Sequence, residues 1–337
     1  MRWILLASCA VALTGLTFGA TAAPPVYGPE LEGFEYPFPV ERFEFPSQGQ
    51  TVSMGFMDVA PTQSNGHIVV LLHGKNFCGA TWEVTIRRLT EAGYRVIAPD
   101  QIGFCRSTKP AHYQYTFHQL AANTRALLAS RGVTRATIVG HSMGGMLAAR
   151  YALLFPDAVE RLVMINPLGL EDWLAEGVPY ATVDQNLQNE RKTTAETIRA
   201  YQRRFYYNGQ WKPAYDRWVE MSAGLYAGSG RDRVMWNQAL TTDMIFTQPV
   251  LYEFGRLRVP TVLMIGGRDR TAPGAGRASA EVAQRLGDYP VLGRRAAQAI
   301  PGARLIEFPA LGHSPQVEDP DRFHDALVET LAADRAP

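Results

Sequence analysis

Residues 136–150 read ATIVGHSMGGMLAAR and join a short apolar run to a stretch of helix-forming residues. The first part of the run is partly β-branched, which favours a strand, whereas the residues from Met143 onward favour a helix. At the connection, Gly140, Ser142 and Gly144 follow the pattern Gly-x-Ser-x-Gly. Because a sharp strand-to-helix turn crowds the backbone, only small residues fit two positions before and after its apex. The spacing predicts that Ser142 projects from the tip of the turn.

The position of Ser142 beside a helix N-terminus has a chemical consequence. Free backbone N–H groups and the positive end of the helix dipole favour a developing negative charge there. A glycine-rich loop that holds an ordinary serine would present the same five residues. The pentapeptide alone therefore leaves two interpretations, and the neighbouring motifs decide between them.

The composition is that of an ordinary globular protein and argues against several classes of function. Of 337 residues, 46% are apolar and 19% are charged, with a net charge of +1. These values predict one large domain, or a domain with an insertion. The balanced charge argues against a nucleic-acid partner, and neither paired histidines at ligand spacing nor a Cys-x-x-Cys motif indicates a metal site. We expect no metal and no cofactor, and the sequence leaves the oligomeric state open.

The N-terminus has the pattern of a secretory signal peptide over residues 1–22. A positive start at Arg2 precedes an almost continuous apolar or small run and the small residues 20–22. The apolar run is shorter than the roughly 20 residues of a membrane anchor, so we expect no stable membrane insertion and a periplasmic or secreted protein. Residues 6–9 (LASC) also look like a lipid-attachment box, so lipoprotein anchoring at Cys9 is a minor alternative.

The hydrophobic pattern changes from alternating to continuous along the next part of the chain. Residues 40–45 and 51–59 alternate apolar and polar side chains, which predicts an antiparallel pair with one solvated face. The run 67–72 is continuously apolar, as in a parallel strand covered by helices on both faces. Further buried strands at 94–98 and 160–165 alternate with helices. This alternation indicates an α/β fold with a doubly wound, mostly parallel sheet.

The alternation breaks off after residue 167 and resumes near residue 260. Between these points, aromatic-rich helical stretches begin at residues 194, 213 and 231 and predict an inserted helical cap. The predicted segments are a signal peptide (1–22), a leader (23–39), the first part of the core (40–167), the cap (168–254) and the second part of the core (255–337). Gly274–Gly293 is expected to be a second, irregular insertion, to which the sequence assigns no role.

The order of short motifs resembles that of the α/β-hydrolase superfamily, in the subgroup that carries a cap. The motifs are, in chain order, His73-Gly74, Asp100–Gly103, the elbow Gly140–Gly144, Gly266–Asp269 and Leu311–His313. The resemblance extends from about residue 40 onward and implies the α/β-hydrolase fold. This family uses a nucleophile, an acid and a histidine in that chain order.

A serine nucleophile needs a base to remove its proton, and that base needs a carboxylate partner. Of seven histidines, only His313 is expected in a loop after a buried strand at the carboxyl edge of the sheet, where α/β sites form. The resemblance places the acid at Asp269, whereas Asn166 stands where some relatives have their acid. Ser142, Asp269 and His313 are therefore the predicted catalytic residues.

The resemblance also implies an oxyanion hole formed by the backbone N–H groups of Lys75 and Met143. Two such donors stabilise the negative charge that develops during acyl transfer. A lysine is unusual at this position, and its side chain has two interpretations: it attracts anionic substrates, or it points into solvent. Cys105 stands where relatives commonly have a second glycine in a loop that shapes the pocket wall.

Cys78 and Cys105 follow two strands that are neighbours in the sheet of this family. A disulfide needs Cα atoms within about 7 Å, which this placement permits. Export to an oxidising compartment favours pairing. Two separate buried thiols are an equally acceptable interpretation of the sequence.

Together these features predict an exported, esterase-like serine hydrolase that cleaves a carboxylic ester or a related acyl bond. Relatives that cleave carbon–carbon bonds, lactones or proline amides, or that act as perhydrolases, keep the same three residues and stay open as alternatives. A non-catalytic binding protein on this fold is less favoured, because all three positions are intact. The aromatic cap suggests a small hydrophobic acyl or aryl substrate, although aromatics at helical spacing more often pack against a core.

Overall fold

The computed structural model describes residues 25–333, in which eight strands form one sheet. In chain order the strands are β1 (Glu41–Ser47), β2 (Gln50–Val59), β3 (Ile68–Leu72), β4 (Arg95–Pro99), β5 (Ala136–His141), β6 (Val159–Ile165), β7 (Thr261–Gly266) and β8 (Arg304–Phe308). Their order across the sheet is β1-β2-β4-β3-β5-β6-β7-β8. The pairs β1–β2 and β2–β4 are antiparallel, and the remaining pairs are parallel. The predicted mostly parallel α/β sheet is confirmed.

Helices cover both faces of this sheet. Those of the core are α1 (Glu83–Glu91), α2 (Phe117–Ser130) and α3 (Met143–Leu154), and, after the cap, α8 (Ala280–Arg285), α9 (Tyr289–Ala299), α10 (Pro315–Glu318) and α11 (Pro320–Ala332). Val69 and Leu71 of β3 belong to an apolar cluster with α1 and α11. Val70 and Leu72, on the opposite face, belong to a cluster with α2 and α3. Burial on both faces explains why β3 is apolar at every position.

The strand order reverses at the centre of the sheet. β3 pairs with β4 on one side and with β5 on the other, both in parallel register. The loops after β3 and β5 therefore leave the same carboxyl edge on the two sides of a crevice, which is where open α/β sheets bind ligands. His73 and Ser142 are the first residues after these strands.

The segment that the sequence predicts to be the cap, residues 168–254, is mainly helical. Its helices are α4 (Val183–Glu190), α5 (Ala195–Tyr201), α6 (Asp216–Ala227) and α7 (Arg231–Thr247), with a π-helical turn at Gln202–Tyr206. The sequence pattern indicated helical stretches near α5, α6 and α7 and missed α4. Helix α4 has two apolar residues, Val183 and Leu187, and the residue that it buries fully is Asn186, so its apolar stripe is too short to recognise.

The prediction of an irregular insertion at Gly274–Gly293 is wrong in part. Most of this stretch forms α8 and the first half of α9, and α9 packs against β7 and β8. It is therefore the helical crossover that joins these two parallel strands, which such a connection requires.

The leader runs across both parts of the molecule. The Tyr27 backbone N–H donates to the Gly224 carbonyl of α6 at 3.1 Å. The Tyr36 hydroxyl donates to the buried Asp100 carboxylate of the core at 2.6 Å. The described part of the leader thus ties the cap to the loop after β4.

The predicted signal peptide and Cys9 lie outside the described residues. Within residues 25–333, no helix combines the length and the apolar character needed to cross a membrane.

Candidate active site

The strand-to-helix turn after β5 has the geometry that its glycines predict. A Cβ atom on Gly140 would overlap the Gly144 carbonyl, and one on Gly144 would overlap the Leu72 carbonyl of β3. Ser142 has a φ of 58°, in the left-handed region that non-glycine residues seldom adopt. The prediction that close packing reserves these two positions for glycine is confirmed.

The three predicted catalytic side chains form a continuous hydrogen-bonded chain. His313 Nε2 lies 2.9 Å from Ser142 Oγ, and His313 Nδ1 lies 2.6 Å from Asp269 Oδ2. Since the carboxylate is an acceptor, the ring proton is on Nδ1 and the serine hydroxyl donates to Nε2. All three residues are buried. The His313 imidazole can therefore accept the Ser142 proton, and the Asp269 carboxylate lies on the other side of the imidazole ring.

Asp269 is held by groups that the sequence did not identify. The Asn166 side-chain amide donates to Asp269 Oδ2 at 2.8 Å, and the Thr271 backbone N–H donates to Oδ1 at 2.8 Å. The Asn166 oxygen in turn accepts from the Gly266 backbone N–H at 2.9 Å. Asn166 stands where some relatives place their acid, and that was the one available signal. In this protein the Asn166 side chain holds the Asp269 carboxylate in place and does not act as the acid itself.

Two further residues, Tyr206 and His141, contact His313 and help to position it. The Tyr206 ring of the π-helical turn stacks on the imidazole, with centroids 5.0 Å apart. His141 Nε2 donates to the His313 carbonyl at 2.8 Å. Burial lowers the pKa of His141 well below its usual range, so this neighbour is neutral. A neutral neighbour adds no repulsion when His313 accepts a proton.

The loop after β3 carries the first predicted oxyanion donor. The Gln101 backbone N–H donates to His73 Nε2 at 3.0 Å, so the ring proton is on Nδ1 and donates to the Gly74 carbonyl at 2.8 Å. The Gly74 carbonyl and the Lys75 N–H belong to the same peptide group, so this hydrogen bond fixes the direction of the Lys75 N–H. Met143 is the first residue of α3, so its N–H has no partner within the helix.

The Lys75 side chain does not point into solvent. Its ammonium group lies 3.0 Å from Glu190 Oε1, and the side chains are only 18% and 14% exposed. The Tyr226 hydroxyl donates to the other Glu190 oxygen at 2.5 Å. The sequence did not identify Glu190, which lies at the end of the unpredicted helix α4.

A cavity of about 490 Å³ lies between the core and the cap, and Ser142 and His313 line it. Its apolar lining includes Phe77, Phe104, Leu168, Ile198, Leu225 and Ile245. Of the cap aromatics, Tyr201 and Tyr206 line the cavity, whereas Tyr207 and Tyr215 stack on each other with centroids 3.7 Å apart. Some cap aromatics therefore line the cavity, and others pack on one another.

Cys78 and Cys105 form a disulfide, with Cα atoms 6.1 Å apart. Cys105 has a φ of 39°, which explains why relatives commonly have glycine there. The Asp100 carboxylate lies close to both sulfur atoms, but the bridge leaves no thiolate to act as a metal ligand. Asp100 instead accepts from the Gly79 backbone N–H at 2.6 Å and so positions the loop.

A parallel sheet with this hydrogen-bonded chain at its strand-order reversal defines a hydrolase of the α/β class. The chain belongs to the alpha/beta hydrolase fold family, whose profile matches residues 67–320. The crystal structure of a probable hydrolytic enzyme from Pseudomonas aeruginosa PAO1 is 60% identical, has a TM-score of 0.91 and covers 91% of this chain and 99% of its own.

More distant relatives agree with this assignment. A 2-hydroxy-6-oxo-2,4-heptadienoate hydrolase of Pseudomonas putida is 26% identical, over 80% of this chain and 90% of its own length. The enol-lactonase of Burkholderia xenovorans LB400 shares the fold, with 20% identity, a TM-score of 0.65 and coverage of 86% and 100%. The protein is therefore a hydrolase enzyme.

We expect the disulfide to exist in protein that is purified without reductant. Alkylation after denaturation without reductant should modify neither Cys78 nor Cys105, and alkylation after reduction should modify both. The bridge spans 27 residues, and its reduction should lower the free energy of unfolding by about 3.5 kcal/mol in the chain-entropy model. Two modified cysteines before reduction would contradict the bridge.

Proposed function

We propose that this hydrolase cleaves a carboxylic ester, or a related acyl bond, through an acyl-enzyme on Ser142. The observation that carries the proposal is the Ser142–His313–Asp269 hydrogen-bonded chain, whose serine and histidine line the cavity. A serine hydroxyl becomes nucleophilic when a base within hydrogen-bond reach takes its proton, and His313 is at that distance.

The proposed reaction has two halves. His313 takes the Ser142 proton as the oxygen attacks the acyl carbon, and then gives that proton to the leaving alcohol. Water, deprotonated by the same imidazole, attacks the acyl-enzyme and releases the acid. Asp269 keeps the imidazole in the correct tautomer and stabilises its charged form.

The oxyanion that forms in both halves needs preorganised donors. We assign the backbone N–H groups of Lys75 and Met143 to this role. Met143 supplies an amide that has no partner within α3, at the helix N-terminus, where the helix dipole also favours negative charge. The anchored His73-Gly74 segment supports the Lys75 amide. Removing one such donor typically costs about 10²-fold to 10³-fold in rate.

The substrate is proposed to be a small molecule whose acyl or aryl group is largely hydrophobic. The apolar lining of the cavity supports this choice, since apolar walls with a few polar groups are typical of small-molecule sites.

The nucleophile is tested with an organophosphonate probe and an ester substrate. The probe should label Ser142, and Ser142→Ala should lose both the labelling and nearly all turnover, because no other oxygen replaces the attacking group. Ser130→Ala is the matched control, since within residues 25–333 the partner of the Ser130 hydroxyl is the Leu127 carbonyl of its own helix. Turnover retained in Ser142→Ala would end the proposal.

The role of Asp269 is tested by replacing its carboxylate with a neutral amide. Asp269→Asn should lower kcat by roughly 10⁴-fold with little change in thermal unfolding, because the amide favours the wrong imidazole tautomer. Glu171→Gln is the control: this buried carboxylate accepts from Trp173 and Gly287, not from His313. A mild effect at Asp269 with a large one at Glu171 would move the acid into the start of the cap.

We also propose that the protein is exported to the periplasm or the medium. The signal-like pattern of residues 1–22 supports export, and so does the disulfide, which persists in oxidising compartments. Mass spectrometry of the protein from an exporting bacterial host should find an N-terminus near Ala23. An intact Met1 would contradict export, and a lipid-modified Cys9 would establish the anchored alternative.

A further inference from the structure

The Lys75–Glu190 ion pair lies in the wall of the catalytic cavity. Both residues belong to its lining, together with Ser142. The pair joins the loop after β3 to the last residue of α4, across the boundary between core and cap. Its position beside the proposed oxyanion donor places it within reach of a bound substrate.

Stability alone does not explain this pair. The free energy lost when two charges are removed from water is about as large as the free energy gained from their attraction. Apolar side chains of similar volume often stabilise a protein equally well. The surrounding wall is already apolar, with Phe77 and Leu225 in its lining. A contact that served only to hold the cap would not need charges here.

The ammonium group keeps donors available for a ligand. It has three N–H bonds, and within residues 25–333 its hydrogen-bond partner is Glu190 Oε1. One carboxylate oxygen of Glu190 accepts from Lys75, and the other accepts from Tyr226. Two donors of Lys75 are therefore free to bind an oxygen atom in the cavity.

The charged groups of the lining favour an anionic ligand. Within the described residues, Lys75, Lys109 and Lys192 line the cavity, whereas Glu190 is the one carboxylate that does so. Burial lowers the pKa of Lys109 to about 8, which still leaves it mainly charged at neutral pH. Its ammonium donates to the Cys105 and Ser107 carbonyls, so it contributes charge rather than a second binding group.

We propose that the Lys75 side chain binds a carboxylate of the substrate, while its backbone N–H faces the reacting carbonyl oxygen. The lysine stem spans about 6 Å, so the carboxylate lies roughly three to five bonds from the reacting carbon. The substrate class is then the half ester of a short dicarboxylic acid, or an acyl compound of that shape. This inference rests on the proposed function of the same site.

The test compares two matched esters. Monoethyl glutarate carries the carboxylate, and ethyl 4-carbamoylbutanoate replaces it with a neutral amide of almost the same shape. Acid release gives kcat/KM for each ester, and their ratio is measured within one variant, so that a general loss of activity cancels. The wild-type ratio should favour the carboxylate by about tenfold or more, equivalent to about 1.4 kcal/mol.

Substitutions at Lys75 and at Glu190 should move this ratio in opposite directions. Lys75→Met keeps the backbone N–H but removes the charge, so the preference for the carboxylate should disappear, and Lys75→Arg should restore part of it. Glu190→Gln removes the competing anion, so the preference should rise several-fold. Higher salt should weaken the wild-type preference.

The inference is wrong if the wild-type enzyme prefers the amide, or if neither Lys75→Met nor Glu190→Gln changes the ratio. Binding of both esters to Ser142→Ala by calorimetry provides the same comparison without turnover. If the esters are hydrolysed through Ser142 but the substitutions at Lys75 and Glu190 leave the ratio of the two kcat/KM values unchanged, only the carboxylate assignment fails. If the carboxylate binds through Lys75 and no acyl-enzyme forms, only the proposed reaction fails.

Discussion

The close approach of the Gly140–Gly144 turn to the end of β3 is the constraint on which the rest of the site depends. Gly144 packs on the Leu72 carbonyl, and a side chain on Gly74 would press against Ser142 Cβ at 3.0 Å. Ser142 keeps a positive φ, a conformation that costs on the order of 1–3 kcal/mol and persists only where the surroundings fix it. The parallel pairing of β3, β5 and β6 supplies that support.

The loop after β3 joins the proposed oxyanion site to the cap. Lys75 contacts Glu190 of α4, Asn76 donates to the Tyr206 hydroxyl at 2.8 Å, and Cys78 is bonded to Cys105. Three neighbouring residues are therefore anchored to the cap and to the loop after β4. Because the same segment carries a proposed oxyanion donor, a cap movement that breaks these contacts would also disturb the site. Such preorganisation is what makes fixed dipoles effective in catalysis.

The sequence was most informative where local chemistry decides the structure. The continuous run of β3 reflects burial on both faces, and the Gly-x-Ser-x-Gly spacing reflects the crowding at one turn. It was least informative in the cap. Helix α4 is largely exposed and has only two apolar residues, and the first half of α9 lies among glycine and proline residues, which favour irregular chain. Periodicity identifies an element only when that element buries one regular face.

By itself, the sequence determined the sheet class, the position of the turn and the order of three candidate side chains along the chain. Tertiary structure alone decided that His313 lies 2.9 Å from Ser142, that Asn166 holds Asp269, and that Lys75 meets Glu190. These partners are separated by about a hundred residues or more. No local pattern encodes such pairs, because their contacts exist only after the sheet has placed the loops side by side and the cap has closed over them.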